Sequence, residues 1–404
     1  MLYRLEIENF YSIRKPQVLD LRVGQSVPEA PGRFDVLFPG SKERSPRVVG
    51  IFGPNASGKS TVLKALSFIG WFTHSSFQLT PDASLPCERF NDAEAQTQPM
   101  RLAIEFSAPL DLLVAKIDDA TEHGTWRYEL EVIRKENRYV VGSESLKQRG
   151  GGKGKWARVF ERAGDSVQAS KVFGLSGYSK VIDKVRDNAS LIATLAQFDH
   201  PISLRLREAA QAIVGNILVA DRNEITDVSA IQYYATNSSA VEALNREIQR
   251  IDLGIRRMDV IPQATGPMAF FDHEGLQSPM PWSFESHGTR SFVKNFPWLH
   301  IGLQRGGLVL VDEIDVSIHP LVLPEIIRWF YDPNKNPHGA QLWVTCHSAS
   351  LLEELLKEEV FFCEKDAQGR TSVYGMQDIQ NVRRTDNRYR KYLSGAYGAV
   401  PNIG

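Results

Sequence analysis

The residues Gly53-Pro54-Asn55-Ala56-Ser57-Gly58-Lys59-Ser60 carry the spacing G-x-x-x-x-G-K-S, with Thr61 next in line. A short apolar run, Val48, Val49, Ile51 and Phe52, precedes them, enough for one buried strand. Apolar residues at Val62, Leu63, Leu66 and Ile69 follow with helical spacing. A strand, a glycine-bounded loop and a helix in this order make a cradle for phosphate. Gly53 and Gly58 permit close backbone approach. The loop amides and the helix N-terminus turn partial positive charge on the anion. Lys59 adds a full charge for the β/γ-phosphates, and Ser60 offers a hydroxyl to Mg²⁺.

Two further clusters belong to the same chemistry. Leu308 to Val311 is a run of four apolar residues that ends in Asp312-Glu313, the pattern of a buried parallel strand opening into a site. Asp312 has the position of a carboxylate that helps hold Mg²⁺, and Glu313 that of a general base for an attacking water. Gln341 to His347 reads as a neighbouring strand whose terminal His347 reaches toward a γ-phosphate. The substrate these groups suit is ATP with Mg²⁺.

The elements that must position them follow from hydrophobic pattern. Leu5 and Ile7 alternate with Glu6 and Glu8 in a first strand, with Val18 to Val23 as a hairpin partner. Met100 to Phe106, Thr125 to Val132, Tyr139 to Val141 and Lys155 to Phe160 suggest an antiparallel meander after a long loop over 73–99. Within it Lys147, Arg149, Lys153, Lys155 and Arg158 form the most basic local cluster, expected to be a solvated hairpin. Asp187 to Ala220 is expected to be helical, with Leu191, Ile192, Leu195 and Phe198 at helix spacing. Ser239-x-x-Glu242 reads as a capping box ahead of Val241, Leu244, Ile248 and Ile251. Phe292 to Leu303 forms another helix, kinked at Pro297. Pro324 to Phe330 is helical, Ser350-x-x-Glu353 opens a helix, and Val360 to Cys363 is a strand. Strand and helix alternate here, so the fold class is α/β with a mixed sheet, an antiparallel β subdomain and a helical insertion. The expected division is 1–110 and 266–404 for two parts of one nucleotide-binding domain, 111–180 for the β-rich part and 181–265 for the insertion.

Composition bounds the function. With 404 residues, 42% hydrophobic and 24% charged, the chain reads as soluble and globular, and its net charge of −1 gives no global basis for binding nucleic acid. No apolar run approaches the ~18 residues of a membrane span, and the acidic N-terminus does not read as a signal peptide. Cys87, Cys346 and Cys363 lack metal-ligand spacing, consistent with reduced thiols in a cytoplasm.

Taken together, these stretches resemble the ABC-type P-loop ATPases of the SMC, RecF and OLD kind, and among them the AAA15 (AAA_21) ATPases of bacterial defence and restriction loci. The resemblance rests on Leu5 to Arg14, Gly53 to Ser60, Asn188 to Phe198, Ser286-His287-Gly288-Thr289, Val311 to Pro320, His338 to His347 and Tyr392 to Pro401. It implies that Ser286, Gly288 and Thr289 form a signature contacting the γ-phosphate held by another subunit. It also implies that Asp315 and Ser317 to Pro320 form a D-loop, and that His347 is a switch histidine. His287 and Cys346 depart from the group, which commonly has an acidic residue and Thr there. Gln98 is a candidate Q-loop residue.

What this implies is a head-to-tail homodimer glued by ATP, with higher oligomers possible and a separately encoded effector, a nuclease or toxin, held in anti-phage defence. Two alternatives stand beside it. One is a RecF/SMC-like repair ATPase that binds DNA directly. The other is an ATPase-linked nuclease, for which the stretch after His347 is expected to be too short.

Overall fold

The computed structural model describes residues 1–118, 120–151, 154–219, 225–251, 254–264, 266–316 and 320–401. The N-terminal part holds β1 (Leu2–Glu8), β2 (Gln17–Asp20), β3 (Phe34–Val36), β4 (Arg44–Pro46), β5 (Val48–Phe52) and helix α1 (Lys59–Ser75). A meander follows: β6 (Met100–Pro109), β7 (His123–Lys135), β8 (Arg138–Gly150), β9 (Ala157–Ala163) and β10 (Ser166–Ala169). Then come α2 (Ser179–Ile182), α3 (Leu191–Ala196), α4 (Pro201–Gln211), β11 (Ile213–Gly215), α5 (Asp227–Thr236) and α6 (Ser238–Ile251). The C-terminal part holds β12 (Ile255–Ile261), β13 (Met268–His273), β14 (Met280–Pro281), α7 (His287–Arg305), β15 (Leu308–Val311) and α8 (Leu323–Tyr331). It finishes with β16 (Gln341–Thr345), β17 (Val360–Lys365), β18 (Thr371–Gly375) and α9 (Arg388–Leu393).

The central sheet has the order β11-β15-β16-β5-β17-β18, parallel except for the edge strand β18. Both faces are buried, as the near-continuous apolar runs require. Alternate residues divide between two cores, because side chains of a strand point to opposite faces. Val49, Ile51, Leu308, Leu310 and Trp343 join the core shared with α1 and the antiparallel sheet. Val48, Phe52, Val309, Val311, Leu342 and Val344 join the core under α7 and α8. The second sheet, β10-β9-β8-β7-β6-β1-β2, is the expected meander, with β1 and β2 paired as the expected hairpin. Helix α1 contributes Val62, Leu66 and Phe68 to the core that joins the two sheets.

Several local readings change. The stretch expected as helix over 187–220 contains two short helices and then β11, which pairs with β15 in the central sheet. The segment expected as a helical insertion, 181–265, therefore holds a core strand as well, and β12 pairs across its expected end with β13. Phe198 falls after α3 and is half-exposed. The capping box at Ser239 does not form, since α6 already begins at Ser238; its buried stripe is Ala240, Leu244 and Ile248. Ile251, and Ser317, Ile318 and His319 of the expected D-loop, have side chains or positions outside the described residues. Ser350 lies inside a 3₁₀ turn, Ala349–Glu353, in place of the expected helix. Pro297 is accommodated inside α7.

The basic cluster has local partners. Lys147 pairs with Glu129, Arg158 lies 3.7 Å from Glu161, and the Arg149 guanidinium sits 4.4 Å from the Trp156 ring centroid. Lys153 lies outside the described residues. Among the described residues no helix is long and apolar enough to cross a membrane.

One buried acid ties the N-terminal segment to the central sheet. Glu359, just before β17, accepts from Arg33 and from the Tyr331 hydroxyl, each at 2.7 Å. Burial pushes its carboxyl up from 4.5 to about 7, against the pull of Arg33. A folded value above the unfolded one means the folded state binds the proton more tightly. The associated stability is complete below pH 4.5 and is lost as pH rises through about 7. The urea midpoint of Glu359→Gln should accordingly vary less between these pH values than that of the unaltered chain. An unchanged slope would show that another group carries it.

Candidate functional site

Three neighbouring parallel strands, β15, β16 and β5, end at one edge of the sheet. That edge is where an α/β sheet binds ligands, because the chain leaves each strand there into a loop or helix. A cleft of about 910 Å³ opens at this edge, lined by the phosphate loop from Asn55 to Thr61 and by Glu313 and His347. Tyr11, Ser12, the segment Glu88 to Asn91, and Lys365, Gln368 and Gly369 complete its wall.

The loop needs its glycines. Gly53 has φ +151° and Gly58, the N-cap of α1, has φ +101°. A β-carbon at Gly53 would collide with the Cys363 carbonyl, and one at Gly58 with the Thr371 side chain. Thr371 on β18 donates to the Ser57 carbonyl at 2.8 Å and its hydroxyl lies 2.8 Å from Ser12 Oγ, while Ser12 lies 3.1 Å from Thr61 Oγ1. The loop is thus braced from the first hairpin and from the edge strand. Lys59 Nζ donates to the carbonyls of Gly53 and Pro54 at 2.9 Å each, using two of its three N–H bonds. Burial holds its ammonium below the usual lysine range, with Asp312, Glu313 and Asp315 opposing the shift.

Asp312 sits at the centre. Its carboxylate accepts from Ser60 Oγ at 2.9 and 3.0 Å and from Thr345 Oγ1 at 2.6 Å, and only 3% of the residue is exposed. Asn216, just past β11, clamps the Asp312 backbone, accepting from its N–H at 2.7 Å and donating to its carbonyl at 3.0 Å. Glu313 follows with φ +51°, a left-handed turn that a non-glycine residue seldom adopts. Its N–H donates to Thr345 Oγ1 at 2.7 Å, which aims the carboxylate into the cleft wall. His347 Nε2 lies 3.6 Å from Glu313 Oε1. Asp315 accepts from the backbone N–H groups of His347 and Ser348 at 3.0 and 2.7 Å, so the turn after β15 holds the turn after β16.

The structure therefore brings together the loop Gly53, Pro54, Asn55, Ala56, Ser57, Gly58, Lys59, Ser60 and Thr61 with Asp312, Glu313, Asp315 and His347. Ser286, Gly288 and Thr289 do not line this cleft. They form the N-terminus of α7, where the exposed Ser286 caps the helix by accepting from the Thr289 N–H at 3.0 Å. Gln98 is likewise outside the cleft, accepting from Arg14 and donating to Glu94, each at 3.0 Å. Residues without a local signal in the sequence include Thr345, Asn216, Ser12 and Thr371. Thr345 stands two residues before His347 and could have been suspected from that position alone.

The donor set fits Mg²⁺. Ser60 and Asp312 present hard oxygen ligands side by side, and Mg²⁺ is commonly held by one or two protein oxygens together with phosphates and water.

A family model described as "AAA domain, putative AbiEii toxin, Type IV TA system" (AAA_21) matches residues 48–353, well over half of the chain. No curated protein matches it. Similar solved structures include the SMC head domain from Thermotoga maritima, at 13% identity and TM-score 0.42, covering 93% of this chain and 98% of that one. An Smc head bound to the C-terminal winged-helix domain of ScpA gives 14%, 0.46, 92% and 97% in the same order. An Smc head with an extended coiled coil, bound to the C-terminal domain of ScpA derived from Pyrococcus furiosus, gives 13%, 0.43, 93% and 96%. The chain belongs to the AAA_21 family.

Thr345 gives this geometry a direct check. Thr345→Val should lower ATP hydrolysis about 10–100-fold, the usual cost of losing a partner that orients a metal-site ligand. Nucleotide affinity should change little and Thr345→Ser should restore the rate. Unaltered turnover in the valine variant would remove Thr345 from the machinery.

Proposed function

We propose that this AAA_21 member is an ATPase that works as a dimeric switch over a separate effector. The observation that carries the reading is the convergence of Lys59, Ser60, Glu313 and His347 on one cleft, with Asp312 hydrogen-bonded to Ser60 behind it and Ser286 and Gly288 exposed or half-buried elsewhere. The first set is what phosphoryl transfer to water requires. The second, at the N-terminus of a 19-residue helix, is suited to an anion but not to the one in its own cleft.

In this reading the loop amides and Lys59 bind the β/γ-phosphates, and Ser60 and Asp312 hold Mg²⁺. The bound ion supplies charge neutralisation for the phosphates. Glu313 orients the attacking water and accepts its proton as the oxygen bonds to the γ-phosphorus; ADP and phosphate leave. His347, beside Glu313, contacts the γ-phosphate, so its position differs before and after hydrolysis. Asp315 fixes the turn that presents it. Ser286, Gly288 and Thr289 from a second copy meet the same phosphate from the opposite side, and two nucleotides hold a head-to-tail homodimer. Hydrolysis removes that bridge, a population switch driven by one phosphoryl group.

The controlled partner in this proposal is a separately encoded nuclease or toxin; the family description, which names a putative toxin of a type IV TA system, describes the domain and names no partner. Anti-phage defence is the setting this suggests. DNA repair by direct DNA binding is the competing use of the same switch.

Glu313→Gln should bind ATP without turnover and accumulate as a dimer in size-exclusion chromatography with ATP but not with ADP. Pull-down of that trapped form should recover a stoichiometric second protein encoded beside it. A monomer with ATP would contradict the switch. Recovery of no protein, with hydrolysis stimulated by DNA alone, would favour the repair reading.

A further inference from the structure

Beside the nucleotide cleft lies a second, polar pocket of about 490 Å³ between the segment before β6 and the β7–β8 hairpin. Glu88, Arg89 and Asn91 line both, so the two cavities share one wall. The far wall of the second pocket carries Arg134, Asn137 and Tyr139.

Its electrostatics are unbalanced. Arg89 is 5% exposed, yet its guanidinium donates to a neutral acceptor, the Gln96 carbonyl at 2.6 Å, and its buried Nε has no hydrogen-bond partner among the described residues. Among the described residues Arg134 makes only long contacts with neutral oxygens, Gln96 Oε1 and Asn137 Oδ1, both at 3.4 Å. Among the described residues neither arginine has an ion pair. Burial, and the nearby charge of Arg134, hold Arg89 below the usual guanidinium range. The one carboxylate on the wall, Glu88, accepts from the Tyr139 hydroxyl at 3.1 Å. Arg89 lies 5.6 Å from the Tyr139 ring centroid. Two guanidinium groups against one carboxylate leave a net positive pocket, and a buried unpaired donor on a charged group is costly unless a ligand satisfies it.

We propose that this pocket is a binding site for a phosphate group, held by Arg89 and Arg134 and distinct from the phosphate loop. Guanidinium groups bind phosphate oxygens through paired N–H donors, which fits two arginines facing one cavity. The phosphate could belong to a free small molecule or to a nucleic-acid backbone, and the chemistry at the arginines is the same.

The test titrates inorganic pyrophosphate into the full chain carrying Lys59→Ala, which disables the phosphate loop, by calorimetry at chloride-matched ionic strength. Saturable binding of one pyrophosphate per chain is expected, weakened about tenfold or more by adding Arg134→Gln, since one charge-assisted hydrogen bond is worth about that factor. Arg134 is exposed, so its replacement leaves the melting temperature in place. Displacement of pyrophosphate by a short single-stranded oligonucleotide would identify a backbone phosphate as the ligand; lack of displacement would identify a small phosphorylated molecule. Absence of saturable binding in the Lys59→Ala chain, or binding indifferent to Arg134→Gln, would overturn the proposal.

Discussion

The hydrogen bonds around the Asp312 carboxylate are the constraint on which the site depends. A buried carboxylate must be satisfied, and Asp312 is satisfied by Ser60 from α1 and Thr345 from β16 while Asn216 clamps its backbone from the end of β11. Those four positions belong to four separate stretches of chain. The parallel register of β11, β15, β16 and β5 brings their ends level, and only then can one acid draw on Asn216, Thr345 and Ser60. The same anchoring leaves Glu313, the next residue, in a left-handed conformation with its N–H on Thr345. Strain of this sort persists where surrounding bonds over-determine it, which is the situation here.

A second set of contacts makes the phosphate loop rigid from outside. Thr371 approaches it from β18 and Ser12 from the turn between β1 and β2, nearly the whole chain apart, and both close on the loop around Gly58. The N-terminal hairpin, the edge strand and α1 are therefore tied to the loop by hydrogen bonds. Asp315 does the equivalent for His347 through backbone amides, so a displacement of either strand-end turn is felt by the other. In the proposed switch this coupling would let one phosphoryl group in the cleft bias the turns at the exposed edge of the sheet.

Much of this was legible from local pattern. The phosphate loop, the apolar strand ending in Asp312-Glu313 and the strand leading to His347 are contiguous signals, and their chemistry is written in residue type. The antiparallel meander was legible because alternation marks half-buried strands. What failed was either short or non-local. Ile213–Gly215 has three residues after a helix, too few to show a period, and only pairing with β15 makes it a strand. Ser239-x-x-Glu242 and Ser350-x-x-Glu353 match a capping pattern, but α6 starts earlier and the second stretch is held as a 3₁₀ turn. Asn216, Thr371 and Ser12 act through contacts hundreds or tens of residues distant, for which one sequence offers no local trace. Ser286 shows the opposite case: it caps α7 as a serine in that position should, and a cap alone does not distinguish a structural terminus from one presented to a partner.

The central claim is that each cleft is half of a composite site, and it can be put to a complementation measurement. Lys59→Ala removes the phosphate-binding half, and Ser286→Arg removes the half supplied to the partner while sparing nucleotide binding. Each variant alone should be nearly inactive. Mixed in equal amounts they should recover hydrolysis, because a mixed dimer contains one site with Lys59 and Ser286 both intact. Persistent inactivity of the mixture, or full hydrolysis by Ser286→Arg alone, would contradict the composite site.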